Sequence, residues 1–392
     1  MWTRDFTLFF TARTVSMLGG SMLPIAVALG MHGAGYGPTG VGLALAAWMA
    51  PMAGLILFGG VFTDRFTPRK MMIGADVART GTQGGLAVLF MTGRPELWQI
   101  LVLTAVAGAS AAMYAPGVAG TIPRIAKDVQ RANAMLRVSE AIMQLSGPGL
   151  AGVVVGLAGV GVVFAVDAVG FAVSALCLLL MKARVTVTAE EPMLRRLREG
   201  WHEFRSRTWM WSVILVWAIF GITLFGPLIP LGSLLVSESY DATAYGLVMS
   251  AGGAGTIVGG LVALRLRPSR PLAAGSTALF LFALEPLTLA LQVPLPLLVA
   301  GHVLGGAGFA FWSVMWATSV QTSVPHDVLN RVSAYEIGGS TIAIPIGQAL
   351  AGPVAALAGA REVLAVSTVV ALVGCLVLLA VPPIRRLARA TA

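Results

Sequence analysis

Long apolar segments dominate this chain and restrict what it can fold into. Twelve such segments predict membrane-spanning helices, because about twenty apolar residues cross the hydrocarbon core of a bilayer. The predicted spans are residues 6–30, 40–62, 71–92, 97–120, 133–158, 160–181, 209–236, 243–264, 272–293, 295–320, 331–358 and 361–383. Only 11% of the residues are charged, whereas soluble domains average about 25%. The sequence therefore indicates an integral membrane protein.

The lysine and arginine residues predict how the chain is oriented. If the N-terminus is cytoplasmic, 22 of the 26 fall in inner loops, tails or helix ends. Arg94 and Arg361 fall outside, and Arg13 and Arg79 lie within spans. Because cytoplasmic loops carry an excess of Lys and Arg, we expect a multi-pass protein of the inner (plasma) membrane with both termini cytoplasmic. The bases are dispersed between spans, so the net charge of +9 favours lipid headgroups over nucleic acid as a partner.

A polar connector separates the first six spans from the last six. The predicted parts are an N-terminal half, a cytoplasmic connector and a C-terminal half, at residues 1–181, 182–208 and 209–392. Four apolar residues of the connector share one helical face: Leu194, Leu197, Trp201 and Phe204. This spacing predicts an amphipathic helix on the inner leaflet, and a solvated linker is the alternative.

An internal repeat relates the two halves. The stretch GGVFTDRFTPRK at 59–70 returns two hundred residues later as GGLVALRLRPSR at 259–270, with Asp64 replaced by Leu264. Each copy lies between the second and third spans of its half. Two six-helix halves in parallel repeat are an architecture of secondary transporters.

The first copy of the repeat resembles the loop signature G-x-x-x-D-R-x-x-R-R of the major facilitator superfamily. Its matching positions are Gly60, Asp64, Arg65, Arg69 and Lys70. The resemblance implies an all-α membrane fold of twelve transmembrane helices in two pseudo-symmetric six-helix halves. It also implies that Asp64 helps to latch the halves on the cytoplasmic side through charge-assisted hydrogen bonds. Arg69 and Lys70 can alternatively act only as positive charges that hold the loop inside.

A second motif, SGPGLAG at 146–152, resembles the G-P-x-x-G-G signature of exporters in the superfamily. Gly147, Pro148 and Gly152 match, and Ala151 replaces one glycine. Pro148 removes a backbone donor and can bend the fifth span. Two further stretches, TARTVSMLGGSMLPIAVAL at 11–29 in the first span and VQTSVPHDVLNRVSAYEIGGS at 320–340 leading into the eleventh, resemble the macrolide-efflux-like branch of drug exporters. These resemblances imply export.

The first, fourth, seventh and tenth helices line a central cavity in the superfamily, and this sequence places aromatic and methionine residues on them. The substrate candidates are Met17, Met113, Tyr114, Trp217, Phe220, Phe225, Phe309, Trp312 and Trp316. Such side chains form an adaptable apolar wall for bulky amphipathic ligands. Each can alternatively face lipid or pack within the protein.

Ionisable residues within spans are candidates for proton coupling. The coupling candidates are Arg13, Asp76, Arg79 and Glu285. Asp76 and Arg79 are three residues apart on the third span, so they can pair on one helical face. Asp167 lies on the sixth span and Glu285 on the ninth, and both spans are peripheral in the superfamily, which weakens both as cavity groups.

The sequence therefore predicts a secondary efflux transporter that exports amphipathic drugs or secondary metabolites. Export would proceed by proton antiport with alternating access, as in multidrug resistance, and a bacterial monomer is expected. The partners would be a small-molecule substrate, protons and membrane lipids. No P-loop is present, and no cofactor, metal site or catalytic residue is expected, so the chain is not predicted to be an enzyme. The alternatives are an ion-coupled importer or exchanger of a small polar metabolite, and a lipid transporter or receptor.

Overall fold

A computed structural model describes residues 3–56, 67–93, 95–125, 129–182, 201–324, 332, 335–336 and 338–388. Within these residues the chain forms long helices and no strand. Eleven helices are long and apolar enough to cross a membrane. One further helix of 25 residues, Pro68–Thr92, carries four charged side chains in its apolar sequence. The predicted all-α membrane fold is therefore confirmed.

The helices follow the order of the predicted spans. The N-terminal six are α1 (Arg4–Gly33), α2 (Gly37–Ile56), α3 (Pro68–Thr92), α4 (Leu97–Ile125), α5 (Val129–Ala158) and α6 (Val160–Leu180). The C-terminal six are α7 (Thr208–Ser239), α8 (Ala242–Arg265), α9 (Pro271–Ala290), α10 (Leu295–Ser323), α11 (Gly338–Ala358) and α12 (Ala360–Ala380). A π-helical turn at Gly221–Phe225 lies inside α7, and a 3₁₀ turn at Leu279–Ala283 lies inside α9.

The chain divides into two compact units. One comprises Met1–Glu191 with Asp241–Gly246, and the other comprises Pro192–Tyr240 with Leu247–Ala392. Within the first unit, α3 packs on α4 and α6, and α1 packs on α5 and α6. Within the second unit, α9 packs on α10 and α12, and α7 packs on α11 and α12. Each unit therefore repeats the same set of neighbouring helices with an offset of six.

The two-hundred-residue repeat extends to the backbone. Gly159 precedes α6 with a φ of 85°, and Gly359 precedes α12 with a φ of 95°. Both angles lie in the left-handed region, which glycine adopts without the steric cost of a Cβ. Leu157 and Leu357, two residues before these glycines, are 85% and 91% exposed. Leucines this exposed fit a surface covered by lipid.

The second copy of the repeated motif is fully described, and its first seven residues form the end of α8. A Cβ added at Gly259 would lie 2.8 Å from the carbonyl carbon of Ala307 on α10, whereas one added at Gly260 would meet nothing within 4 Å. Only the first glycine of the pair is therefore needed for close helix packing. In the first copy, Gly60, Asp64 and Arg65 lie outside the described residues.

The described end of the connector, residues 201–206, is helical. Phe204 is buried and stacks on Tyr335, with ring centroids 6.0 Å apart. Trp201 remains 49% exposed while its ring lies 5.5 Å from the same tyrosine. The predicted apolar face therefore contacts protein at Phe204 rather than lipid.

Candidate functional site

Buried charged residues from α3 and α6 form a cluster in the N-terminal unit. Asp76 is 0% exposed and Asp167 is 2% exposed. The Ser174 hydroxyl donates to Oδ2 of Asp76 at 2.6 Å, and the guanidinium carbon of Arg79 lies 3.8 Å from the centroid of the Phe171 ring. Ionisable groups are rare at membrane depth and mark functional sites by default.

The sequence builds this cluster from two helical faces. Asp76 and Arg79 are one turn apart on α3, and Asp167, Phe171 and Ser174 follow at intervals of four and three residues on α6. Because such intervals place side chains on one face of a helix, the packing of α6 on α3 brings both sets together. The predicted pairing of Asp76 with Arg79 does not form a salt bridge within 4 Å in the described part of the chain.

Several polar atoms of this cluster have unused hydrogen-bonding capacity. Among the described residues, Oδ1 of Asp76, both carboxylate oxygens of Asp167, Nε of Arg79 and the Tyr114 hydroxyl are buried without a hydrogen-bond partner. Arg13 of α1 completes the cluster, with its guanidinium carbon 5.7 Å from the centroid of the Tyr114 ring. Buried polar atoms usually have partners, so this group of polar atoms within the helices marks a candidate functional site.

Asp167 lies directly against the backbone of α1. A Cβ added at Gly19 would overlap its Oδ1 and lie 2.6 Å from its carboxylate carbon. Only glycine therefore leaves room for the carboxylate at this crossing. The prediction discounted Asp167 because α6 is peripheral, but the face that carries it is turned inward. The small and polar residues at Asp167, Gly170 and Ser174 could have indicated this face.

Arg69 from the loop signature binds the end of α6. Its Nε donates to the carbonyl oxygen of Leu178 at 2.9 Å, and its Nη2 donates to that of Leu179 at 2.7 Å. These carbonyls belong to the last turn of α6, where no intrahelical donor follows and the partial charge of the helix is negative. Lys70 is exposed. Arg69 therefore acts as a helix cap between α3 and α6.

The exporter-like motif lies in α5. A Cβ added at Gly147 would lie 2.7 Å from the Cβ of Ser21 on α1 and 3.2 Å from its backbone carbon. Pro148 lies inside the helix, and Gly152 is buried. Gly147 therefore permits a close crossing of α5 and α1 beside the proline.

Aromatic residues form a cluster with a cavity in the C-terminal unit. The Trp217 ring of α7 stacks on Trp312 of α10 at 5.2 Å, and Trp312 stacks on Trp316 at 6.1 Å. A cavity of about 170 Å³ is lined by these tryptophans, Phe309 and Glu336, together with Val213, Ile214, Ser313 and Ser340. Phe309, Trp312, Ser313 and Trp316 share one face of α10 because they are three, four and seven residues apart.

The remaining cavity candidates have other surroundings. Phe225 ends the π-helical turn and contacts Phe309 at 5.9 Å, next to the cavity lining. Phe220 is 1% exposed and packs against α12, where a Cβ added at Gly374 would overlap its ring. Tyr114 belongs to the charged cluster. Met17 and Met113 are partly exposed on α1 and α4, and their role stays a prediction.

Two acids of the C-terminal unit differ in their surroundings. Glu285 is 7% exposed on α9, and its carboxylate packs against Gly305 of α10, where an added Cβ would lie 2.8 Å from Oε1. Glu336 accepts a hydrogen bond from Nε1 of Trp316 at 2.7 Å and faces the aromatic cavity. Glu336 lies two residues before α11.

This arrangement of two helical units with intramembrane charges and an aromatic cavity defines a membrane transporter. The Major Facilitator Superfamily matches residues 9–335, so the chain belongs to this family. Family membership confirms a transporter rather than an enzyme.

Individual relatives support the same assignment. The chain is similar to an uncharacterized MFS-type transporter, YvqJ, of Bacillus subtilis (strain 168), with 24% identity over 385 residues that cover 95% of this chain and 91% of the relative. Among solved structures, a POT family transporter in complex with a thioalcohol-conjugated peptide has a TM-score of 0.76 at 12% identity, with 96% of each chain covered. The nucleoside transporter NupG has a TM-score of 0.75 at 11% identity, with 96% of this chain and 98% of that chain covered.

Proposed function

We propose that this transporter exports amphipathic drugs or secondary metabolites in exchange for protons. The observation that carries the proposal is the aromatic cavity of the C-terminal unit, in which Trp217, Phe309, Trp312 and Trp316 are four of the nine described lining residues. Apolar aromatic walls bind ligands mainly by shape and desolvation and tolerate varied structures. A polar nutrient would require more hydrogen-bonding groups, whereas this lining offers two serines and one glutamate.

Proton coupling is supported by the charged cluster of the N-terminal unit. Asp167 is the best-placed proton carrier for two reasons. Both of its carboxylate oxygens are buried without a hydrogen-bond partner among the described residues. It also lies on α6, which packs on α3, the helix that carries Arg79. Asp167→Asn keeps the shape and removes the titratable group. We expect this variant to lose proton-driven transport while it still binds substrate. The exposed acid Glu238 serves as a control, and Glu238→Gln should transport normally.

The direction of transport rests on the exporter-like motif. Gly147 allows α5 to approach α1 beside Pro148, and small residues next to a proline permit tight packing of a bent membrane helix. The narrower likeness to macrolide-efflux-like exporters depends on sequence resemblance. We therefore propose outward transport of the substrate on the basis of the exporter-like motif together with the apolar cavity.

The test of the proposed function uses everted membrane vesicles with an acid interior, reported by a pH-sensitive dye. Vesicles with and without the protein receive amphipathic cations, macrolides and siderophores in turn. Protein-dependent release of protons on addition of one compound would establish antiport. Trp312→Ala should abolish the proton release. Trp211 is 40% exposed on the outer side of α7, so Trp211→Ala should keep the proton release.

Failure of this test has a clear meaning. If no compound of the panel releases protons while the protein is present in the membrane, proton-driven efflux is contradicted. A response to small polar metabolites alone would favour the import or exchange of such compounds. Equal loss of activity in Trp312→Ala and Trp211→Ala would show that transport does not depend specifically on the aromatic cavity.

We further propose that Asp64 is part of a cytoplasmic latch. Its support is the position of Asp64 in the loop signature, because a carboxylate at that place can accept charge-assisted hydrogen bonds. Asp64→Asn should change the transport rate and the accessibility of engineered cysteines on both sides of the membrane. Unchanged values for both quantities would remove Asp64 from the mechanism.

A further inference from the structure

The cavity of the C-terminal unit combines one carboxylate with several aromatic rings. Glu336 and Ser340 supply one wall from the α11 segment, and Trp217, Trp312 and Trp316 supply the others. Among the described residues that line the cavity there is no lysine, arginine or histidine. Among the described lining residues, Glu336 is therefore the one ionisable group, and it is acidic.

The carboxylate of Glu336 is oriented toward the aromatic wall. The indole N–H of Trp316 donates to Oε1 at 2.7 Å, and the Ser340 hydroxyl donates to the backbone carbonyl of Glu336 one turn earlier. A carboxylate has about four acceptor positions, so one indole bond leaves capacity for a ligand. Trp316 also packs edge-on against Trp209 at 5.5 Å, which restrains the indole that holds the carboxylate.

Aromatic rings and a carboxylate attract the same kind of ligand. The ring faces of Trp carry negative electrostatic potential and bind cations, most strongly where water is excluded. The negative charge of Glu336 adds a Coulomb attraction that is stronger beside low-dielectric walls than in water. An anionic ligand would be repelled by both features, and a neutral ligand would gain neither electrostatic attraction.

We propose that Glu336 and the tryptophans bind the ammonium head group of an amphipathic organic cation. This inference rests on the proposed export function and names its substrate class. A drug-sized ligand needs a pocket of roughly 300–1,000 Å³, whereas this cavity measures about 170 Å³. The cavity therefore receives the head group, and the apolar remainder of the ligand lies outside it.

Binding to the purified full-length protein in a non-ionic detergent tests the inference directly. The probe is benzyltrimethylammonium, titrated calorimetrically, with benzenesulfonate and benzyl alcohol as anionic and neutral comparisons. The wild-type protein should bind the cation at least tenfold more tightly than either comparison. Glu336→Gln should weaken cation binding at least tenfold, and Glu336→Asp should lose less. The matched control Glu238→Gln should leave cation binding unchanged.

A second variant separates a folding defect from a binding defect. Trp316→Phe keeps an aromatic ring and removes the indole N–H, so we expect a several-fold loss of cation affinity while the protein still unfolds in a cooperative thermal transition. If Glu336→Gln binds benzyltrimethylammonium as tightly as wild type does, the inference is wrong. Tighter binding of benzenesulfonate than of the cation would overturn it equally.

Transport assays distinguish failure of this inference from failure of the export function. If Glu336→Gln loses export of cations but keeps export of neutral amphiphiles, both proposals are supported. If it exports cations as wild type does, the cation site is refuted and export stands. If the wild-type protein exports nothing, the export function fails, and the calorimetric result then decides the binding site alone.

Discussion

Arg69 offers the most direct test of how the signature loop acts. In the structure its guanidinium holds the last carbonyl groups of α6, at Leu178 and Leu179. Lys70, its exposed neighbour, carries the same charge without these bonds. If the motif only supplies positive charge to the inner loop, the two residues are equivalent. If the cap matters, Arg69→Ala should loosen α6 and Lys70→Ala should not.

The size of the effect follows from the two hydrogen bonds. A hydrogen bond to a charged group contributes about 1.5–3 kcal/mol, and we take the lower figure for the partly buried bond to Leu178. The bond to Leu179 is exposed to solvent, so we assign it about 0.5 kcal/mol. The sum of about 2 kcal/mol corresponds to a roughly 30-fold rise in local opening of the α6 end.

Cys177 provides the readout because it lies in the last turn of α6 and is only 9% exposed. In a Cys375→Ser background, the rate at which a thiol-reactive dye labels the folded protein reports opening of this turn. We expect labelling about 30-fold faster in Arg69→Ala than in Lys70→Ala, because only Arg69 binds these two carbonyl groups. Arg69→Lys should label at an intermediate rate, since lysine keeps the charge but loses the two-pronged geometry. Equal rates for the Arg69 and Lys70 variants would refute the capping argument.

Three further predictions address the cluster and the orientation. Gly19→Ala should displace the Asp167 carboxylate, lower the unfolding temperature through overpacking of about 1–3 kcal/mol, and impair proton-coupled transport. Gly20→Ala should do neither, because a Cβ there would meet nothing within 4 Å; similar loss in both variants would contradict a specific role for the Gly19 contact. Single cysteines at His202→Cys and Arg361→Cys should react with an impermeant reagent from the cytoplasmic and the external side, respectively. Labelling from the reverse sides would overturn the predicted orientation of the termini.

The charged cluster of α3 and α6 was only partly predictable from the sequence. Asp76 and Arg79 were recognised as intramembrane charges because each interrupts an apolar run. Asp167 lies 91 residues beyond Asp76 in the chain, and its role depends on which face α6 turns toward α3 and α1. Sequence spacing identifies a helical face but not the helix that it contacts, so the sequence did not predict that Asp167 packs against Gly19 of α1.

The cation-binding cavity depends even more on tertiary structure. The tryptophans of α7 and α10 could be selected from the sequence because aromatic residues stood on helices that line the cavity in the superfamily. Glu336 could not, since its hydrogen bond to Trp316 crosses from the α11 segment to α10. The sequence between Trp316 and Glu336 contains no pattern that predicts this contact.

The sequence alone determined the membrane location, the helix order and the two-fold repeat. Each of these follows from local rules: a bilayer requires a minimum apolar length, its backbone groups must be bonded within helices, and repeated segments keep their spacing. Only the tertiary structure decided that Arg69 caps α6, that Asp167 lies against Gly19 and that Glu336 faces tryptophans. Those contacts arise when separate helices pack in one orientation, and the free energy of that packing is shared among residues far apart in the chain.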